Sequence, residues 1–186
     1  MIYAAEIGLN HNGNFDLALE LIRKAKESGA TIAKFQFGWR DKPDEINCID
    51  FNTAKKLKEF SEYVEIEFMA SIITEEAFDL ALKLGVNRYK IASRTVVENP
   101  KLCEKIIQED KEVFCSLGFW EKETFPFGAP NDKLRYIYCV SEYPALPKDM
   151  THFPSEFNND GYYGYSDHFL GSSACLLAIS RGAKFI

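Results

Sequence analysis

The chain has 186 residues, 22 Lys and Arg against 28 Asp and Glu, with 46% hydrophobic and 27% charged residues. That balance fits one globular domain with a buried core and excludes the low-hydrophobicity, high-charge signature of disorder. A formal net charge of -6 argues against a general nucleic-acid binder, which needs a basic face to neutralise phosphates, so any anion site must be local.

No apolar run approaches the roughly 20 residues that a bilayer demands. The start Met1-Ile2-Tyr3 lacks a basic region followed by an apolar stretch. The five scattered cysteines form no C-x-x-C pair and read as reduced, mostly buried thiols. The expectation is a cytoplasmic, soluble protein with no nucleic-acid or membrane partner.

Short apolar runs at 2–5, 32–36, 68–71, 88–92, 113–116, 136–140, 162–165 and 184–186 are eight candidate strands. A helix is predicted over 16–28, with Leu17, Leu21, Ile22 and Ala25 on one face, Asn14 as cap and Gly29 as stop. Further helices are predicted over 53–64, over 74–84 ending at Gly85, from Asn99-Pro100 to about Gln108, and over 171–181. The intervals 120–132, with Pro126, Gly128 and Pro130, and 144–160, with Pro144, Pro147 and Pro154, are too broken for a full helix. Strands alternating with helical crossovers predict an α/β fold, and eight of them a (β/α)8 TIM barrel. At 186 residues it falls below the roughly 200-residue lower end of that range. The prediction is a single barrel domain over 1–186, short and incomplete at the eighth unit, with reduced helices after strands five and six.

In such a barrel the functional residues lie at the carboxyl ends of the strands. The polar residues there are Glu6, then Asn10-His11-Asn12-Gly13, Lys34, Gln36, Ser71, Lys90, Ser93, Ser116, Gly118, Ser141, Tyr143 and Ser166-Asp167-His168. Lys34 and Lys90 sit in apolar strands, where an ammonium needs compensation. With hydroxyls from Ser93, Ser116 and Ser166 they would cradle phosphate and carboxylate oxygens. The alternative is that each lysine pairs with a barrel carboxylate such as Glu6. Asn10-His11-Asn12-Gly13 reads most simply as a turn, and Tyr162, Tyr163 and Tyr165 as strand packing at alternate positions. His168 beside Asp167 is a metal ligand, a general base or neither. His11, His152 and His168 form no close ligand pair in sequence. Ser116 lacks the G-x-S-x-G context of a hydrolase nucleophile.

Five segments stand in order: Ala5-Glu6-Ile7-Gly8-Leu9-Asn10-His11-Asn12-Gly13, Ala33-Lys34-Phe35-Gln36, Tyr89-Lys90-Ile91-Ala92-Ser93, Cys139-Val140-Ser141-Glu142-Tyr143-Pro144 and Gly164-Tyr165-Ser166-Asp167-His168. Together they closely resemble the N-acetylneuraminate (sialic acid) synthase family. The resemblance implies a transferase that condenses phosphoenolpyruvate with an N-acetylated amino-sugar aldehyde, N-acetylmannosamine or similar, giving a nonulosonic acid and phosphate. It implies a divalent metal, Mn2+ or Mg2+, as Lewis acid on the aldehyde. It assigns Lys34, Lys90, Ser93, Ser116 and Ser166 to phosphoenolpyruvate, and Glu6, Gln36 and Tyr143 to the sugar. Asn10 joins the substrate-binding set, His168 becomes a metal ligand, and Glu6, Lys34, Lys90 and His168 form the catalytic set. Asp167 is expected to orient His168.

The second metal-binding histidine and a small C-terminal antifreeze-like domain would lie beyond Ile186. Weak metal binding and a possible homodimer are the corresponding expectations. Departures from the family pattern are Arg94-Thr95 after Ser93, where an acid is usual, Ile72-Ile73 after Ser71, Leu117 after Ser116, Tyr138 before Cys139 and Ser141. They motivate a second reading, an impaired barrel that binds a phosphorylated or carboxylated molecule without turnover. A third, condensation with a phosphorylated sugar, would need extra arginines. Only Arg40, Arg94 and Arg135 are near strand ends, and it ranks last.

Overall fold

The computed structural model describes residues 1–40, 42, 45–46 and 48–186. By its packing the chain divides into two units, Ile2–Tyr89 and Lys90–Ile186.

The first unit runs β1 (Ala4–Gly8), α1 (Phe15–Glu27), β2 (Ile32–Phe37), α2 (Phe51–Tyr63), β3 (Glu67–Ile72) and α3 (Glu75–Leu84), and ends in the start of β4 (Arg88–Ile91). Each helix starts where a side-chain oxygen can take an orphan backbone N–H: Asn14 accepts from Leu17, Asp50 from Thr53 and Thr74 from Ala77. Gly85 closes α3 at φ 62, the left-handed conformation that glycine adopts without penalty. The strands pair in parallel, β1 with β2 and β2 with β3.

Strand residues alternate between faces. Phe35 and Phe37 therefore share one face of β2, where the Phe35 and Phe68 rings stack at 5.3 Å. Lys34 and Gln36 are left on the other face. Register then sets their neighbours: Lys34 lies between Glu6 of β1 and Met69 of β3, and Gln36 lies opposite Ser71.

The second unit continues through α4 (Ser93–Glu98), α5 (Pro100–Gln108), β5 (Glu112–Ser116), β6 (Leu134–Cys139), a single 3-10 turn at Pro147–Asp149, β7 (Tyr162–Ser166) and α6 (Ser173–Ser180). The strands β5, β6 and β7 pair in parallel. Asn99 caps α5 by accepting from Leu102 N–H, with Pro100 in the first turn. The two proline-broken intervals hold no α-helix. The short α4 was not predicted. Its six residues include Thr95, Val96 and Val97, are too few to display a helical period, and carry β-branched residues that weaken helix propensity.

Seven strands form among the described residues, where eight were predicted. The segment 184–186 contributes one parallel bridge, Phe185 to Gly164. Tyr165 N–H donates to the Phe185 carbonyl and Lys184 N–H to that of Tyr163, both at 2.9 Å. The tyrosines of β7 also depart from simple alternation. Register slips so that Tyr136 faces Tyr162 and Ile137 faces Gly164, which makes Tyr163 the extra residue of a bulge. Tyr162 and Tyr165 consequently join Tyr138, Phe153 and Phe157 in one aromatic cluster. Tyr163 instead stacks under the Arg135 guanidinium at 4.7 Å. All five cysteines are free thiols. No helix among the described residues is long and apolar enough to cross a membrane.

Gly164 is where Phe185 seats, because a Cβ there would stand 2.2 Å from the Phe185 carbonyl oxygen. Gly164→Ala is expected to cost about 1–3 kcal/mol, read as a lower urea midpoint. An unchanged midpoint would show that the bridge does not hold this edge.

Candidate active site

In the first unit the centre is an ion pair. Lys34 is buried, and its ammonium bonds the Glu6 carboxylate directly opposite it in register, while the Glu6 side chain remains half exposed. A buried ammonium beside a carboxylate offsets part of its desolvation cost by that attraction. The alternative raised for the lysines from sequence thus holds for Lys34 in this state. Gly8, at φ 51, lets the Glu6 carboxylate lie close against the backbone: a Cβ built there would lie 2.9 Å from Glu6 Oε1 and 3.7 Å from Gln36 Nε2. The Gln36 amide makes no hydrogen bond among the described residues.

Asn10 lies exposed in the turn after β1, where its N–H donates to the Ile7 carbonyl at 2.9 Å. His11, in the same turn, is fully buried against the rings of Phe15 and Phe35. Its Nδ1 accepts from Gly13 N–H at 3.2 Å, which places the hydrogen of the neutral ring on Nε2, an atom without a partner among the described residues. Burial pushes the His11 pKa below the ordinary imidazole value.

In the second unit Lys90 of β4 is buried and its Nζ donates to Ser116 Oγ at 2.7 Å. Ser93 Oγ accepts from Gly118 N–H at 2.9 Å. A Cβ on Gly118 would meet Ser141 Oγ at 2.2 Å, Ser93 Oγ at 3.0 Å and Cys139 Sγ at 3.1 Å, so glycine is what lets these polar groups close together. Ser166 stands opposite Cys139 in the β6–β7 ladder.

His168 is held from both sides. The Val140 carbonyl lies 2.7 Å from Nδ1 and can only accept, so Nδ1 carries the hydrogen. Nε2 then offers its lone pair and accepts from Tyr143 OH at 2.9 Å. Burial disfavours the imidazolium, but the Cys139 thiol 3.9 Å from Nδ1 and the Val140 carbonyl outweigh it and raise the His168 pKa. Cys139 is pushed up by burial and drawn below the ordinary thiol value by His168.

Asp167 does not orient His168, contrary to the expectation. Its Oδ1 accepts from Tyr165 OH at 2.6 Å and Phe169 N–H at 2.7 Å, and its Oδ2 from the Cys175 thiol at 3.0 Å. These bonds tie the end of β7 to α6, and the Val140 carbonyl takes the orienting task. Cys139 was read from sequence only as a reduced thiol. The signal for a larger part was its place two residues before Ser141 at a strand end.

A metal-binding histidine ordinarily gives its second N–H to a carbonyl or carboxylate, and His168 meets that condition at Nδ1, with the lone pair on Nε2. Among the described residues no group of three or more His, Cys, Asp or Glu is placed to hold a metal.

Parallel strands alternating with helices, with a buried lysine in each unit and polar side chains at the strand ends, define the class, a parallel α/β protein. The match to the NeuB family covers residues 44–186, and the chain belongs to that family. It is 29% identical over 98% of its length to the N,N'-diacetyllegionaminic acid synthase of Legionella pneumophila, covering 61% of that protein. It is also 29% identical over 98% of its length to human N-acetylneuraminate-9-phosphate synthase, covering 59%. The crystal structure of N-acetylneuraminic acid synthetase from Leptospira borgpetersenii serovar Hardjo-bovis, in complex with citrate, matches all of this chain and 71% of its own with a TM-score of 0.80 and 27% identity. The chain spans about three fifths of the length of these curated relatives.

His11 gives a pH test. With its folded pKa depressed, the unfolded chain binds the extra proton, so stability conferred by neutral His11 is present above about pH 6.5 and is lost as pH falls towards the folded pKa. The wild-type protein should lose stability relative to His11→Gln between pH 7.5 and 5.5 in parallel urea titrations. A difference independent of pH would contradict a neutral buried His11.

Proposed function

We propose that the protein works in the condensation of phosphoenolpyruvate with an N-acylated amino-sugar aldehyde, yielding a nonulosonic acid and inorganic phosphate. The reading rests on one observation above others: a buried lysine, Lys90, bonded to a serine hydroxyl within a cluster of further hydroxyls, in a chain of the NeuB family. A serine hydroxyl accepts from an ammonium without adding a negative charge of its own, and hydroxyls and an ammonium are donors that phosphate and carboxylate oxygens accept from. Relatives named as synthases of legionaminic, pseudaminic and N-acetylneuraminic-type acids support the product class.

In this scheme Lys90, Ser93, Ser116 and Ser166 bind phosphoenolpyruvate, and Lys34 is assigned to it by its motif. Glu6 accepts hydrogen bonds from sugar hydroxyls, with Gln36, Tyr143 and Asn10 on the same substrate. The enol carbon attacks the aldehyde carbon, water adds at the phosphate-bearing carbon, and the C–O bond to phosphate breaks, so phosphate leaves with the bridging oxygen. A divalent cation, Mn2+ or Mg2+, would supply Lewis acidity at the aldehyde oxygen, and His168 Nε2 is the ligand this chain offers it. Tyr143 OH occupies that lone pair here, so binding a cation requires the tyrosine to release it. A cytoplasmic location fits the substrates.

A second reading, binding without turnover, is favoured by Thr95, which is buried in α4 where the family pattern carries an acid. The deciding assay is phosphate release from phosphoenolpyruvate labelled with 18O at the bridging oxygen, with N-acetylmannosamine and Mn2+ present. The first reading predicts labelled phosphate, abolished by a chelator. Stabilisation by phosphoenolpyruvate without phosphate release would establish the second, and neither effect would refute both.

A further inference from the structure

A groove of about 410 Å³ runs along α6 in the second unit. One wall is Ala174, Leu177 and Arg181, spaced so that they share one face of the helix and its cap. The facing wall, Met150 and Phe153, comes from the crossover between β6 and β7, and Phe169 also lines the groove. That crossover holds only the 3-10 turn at Pro147–Asp149, so it brings no α-helix to this flank of α6, where a β/α repeat ordinarily packs one. The sequence of α6 fits an open flank. Its buried positions are the small Ala174 and Ala178, while Leu176 and Leu177 remain exposed, the reverse of a helix whose large residues fill the core.

Phe153 is a fixed wall, its ring set edge-on against Tyr138, Phe157 and Tyr165 at centroid distances of 5.4, 5.7 and 5.2 Å. Phe169 is anchored by its N–H to Asp167, whereas Met150 has an unbranched and adaptable side chain. Arg181 is the one charged side chain among the described residues of the lining. Its guanidinium lies over the Phe153 ring at 5.5 Å and donates one N–H to the Pro154 carbonyl at 2.8 Å. No carboxylate pairs with it among the described residues. A guanidinium carries five N–H donors, so further ones remain for an occupant.

We propose that this groove binds an amphipathic carboxylate, a free small molecule with a hydrocarbon body and a single negative charge. Small-molecule sites are concave, mostly apolar and about 300–1,000 Å³ in volume, with a few polar groups that fix orientation. The groove meets each condition. It has room for roughly a dozen water-sized groups at ~30 Å³ each, which corresponds to about ten carbons and a carboxylate. The body lies against Met150, Phe153, Phe169 and Leu177, and the carboxylate accepts parallel bonds from the planar fork of Arg181. One guanidinium, with no second cation in the described lining, matches one negative charge and not a phosphate dianion. The same charge disfavours a second copy as occupant, because a copy packed through this flank would bring a like cation to the contact. None of these residues is among those assigned to phosphoenolpyruvate or the sugar.

Methionine methyls labelled with 13C give a direct readout on the whole protein. The sequence has three methionines: Met150 in the groove, Met69 buried in β3 and the exposed Met1. Decanoate, titrated below its micelle-forming concentration, should move the Met150 signal to saturation and leave those of Met1 and Met69 in place. Decanol should bind about tenfold or more weaker, for want of the charge-assisted pair. Arg181→Gln, which keeps a donor for the Pro154 carbonyl, should bring decanoate down to the affinity of decanol. Leu177→Glu, at an exposed position and so tolerant of change, sets a carboxylate one turn from Arg181 and should remove binding of both. A Met150 signal that decanoate does not move, or equal affinity for decanoate and decanol in the parent, would overturn the proposal. So would movement of all three methyls together, which marks general detergent action, or movement of Met150 with protein concentration alone, which makes the occupant a second copy.

Discussion

A lysine that projects from a parallel strand into a closely packed face brings an ammonium that must be satisfied where it lies, or the strand cannot be buried. Two strands of this chain carry one each, and the answers differ. Lys34 of β2 meets a carboxylate, because parallel register puts Glu6 of β1 directly opposite. Lys90 of β4 meets the hydroxyl of Ser116. The first arrangement neutralises charge locally, and in the second a hydroxyl accepts from the ammonium without adding a negative charge.

Orientation elsewhere follows from similarly economical contacts. The Val140 carbonyl fixes the tautomer of His168, so the ring presents Nε2 without help from Asp167. Asp167 spends both oxygens on Tyr165, Phe169 and Cys175, which fastens the strand end to α6. Gly118 removes a side chain where Ser93, Cys139 and Ser141 converge. Small residues and backbone carbonyls thus do much of the positioning.

What could be read from the sequence follows from how local each signal is. Helix α1 was legible because Asn14, its apolar face and Gly29 agree, and α5 because Asn99-Pro100 is a cap followed by a pre-set first turn. The lysines were legible as misfits in apolar strands. Register was not legible, since it depends on which residues stand opposite, and so the Glu6–Lys34 pair stayed one of two alternatives. The bulge at Tyr163 was hidden for the same reason, as one extra residue changes the face of every later side chain. The part played by the Val140 carbonyl could not be seen at all, because a backbone carbonyl carries no sequence signature. The groove beside α6 depends on Met150 and Phe153 standing across from Leu177 and Arg181, residues far apart in the chain.

The central claim is that Lys90 is held in the interior for an anion and not for the fold. Replacing it with methionine of similar length, and measuring the melting temperature with and without phosphoenolpyruvate, tests that claim directly. The wild-type protein should gain about 2.7 kcal/mol at a hundredfold excess over Kd, or about 5–10 °C. Lys90→Met should stay folded and gain nothing. A variant that unfolds without ligand, or that keeps the full stabilisation by phosphoenolpyruvate, would contradict the account.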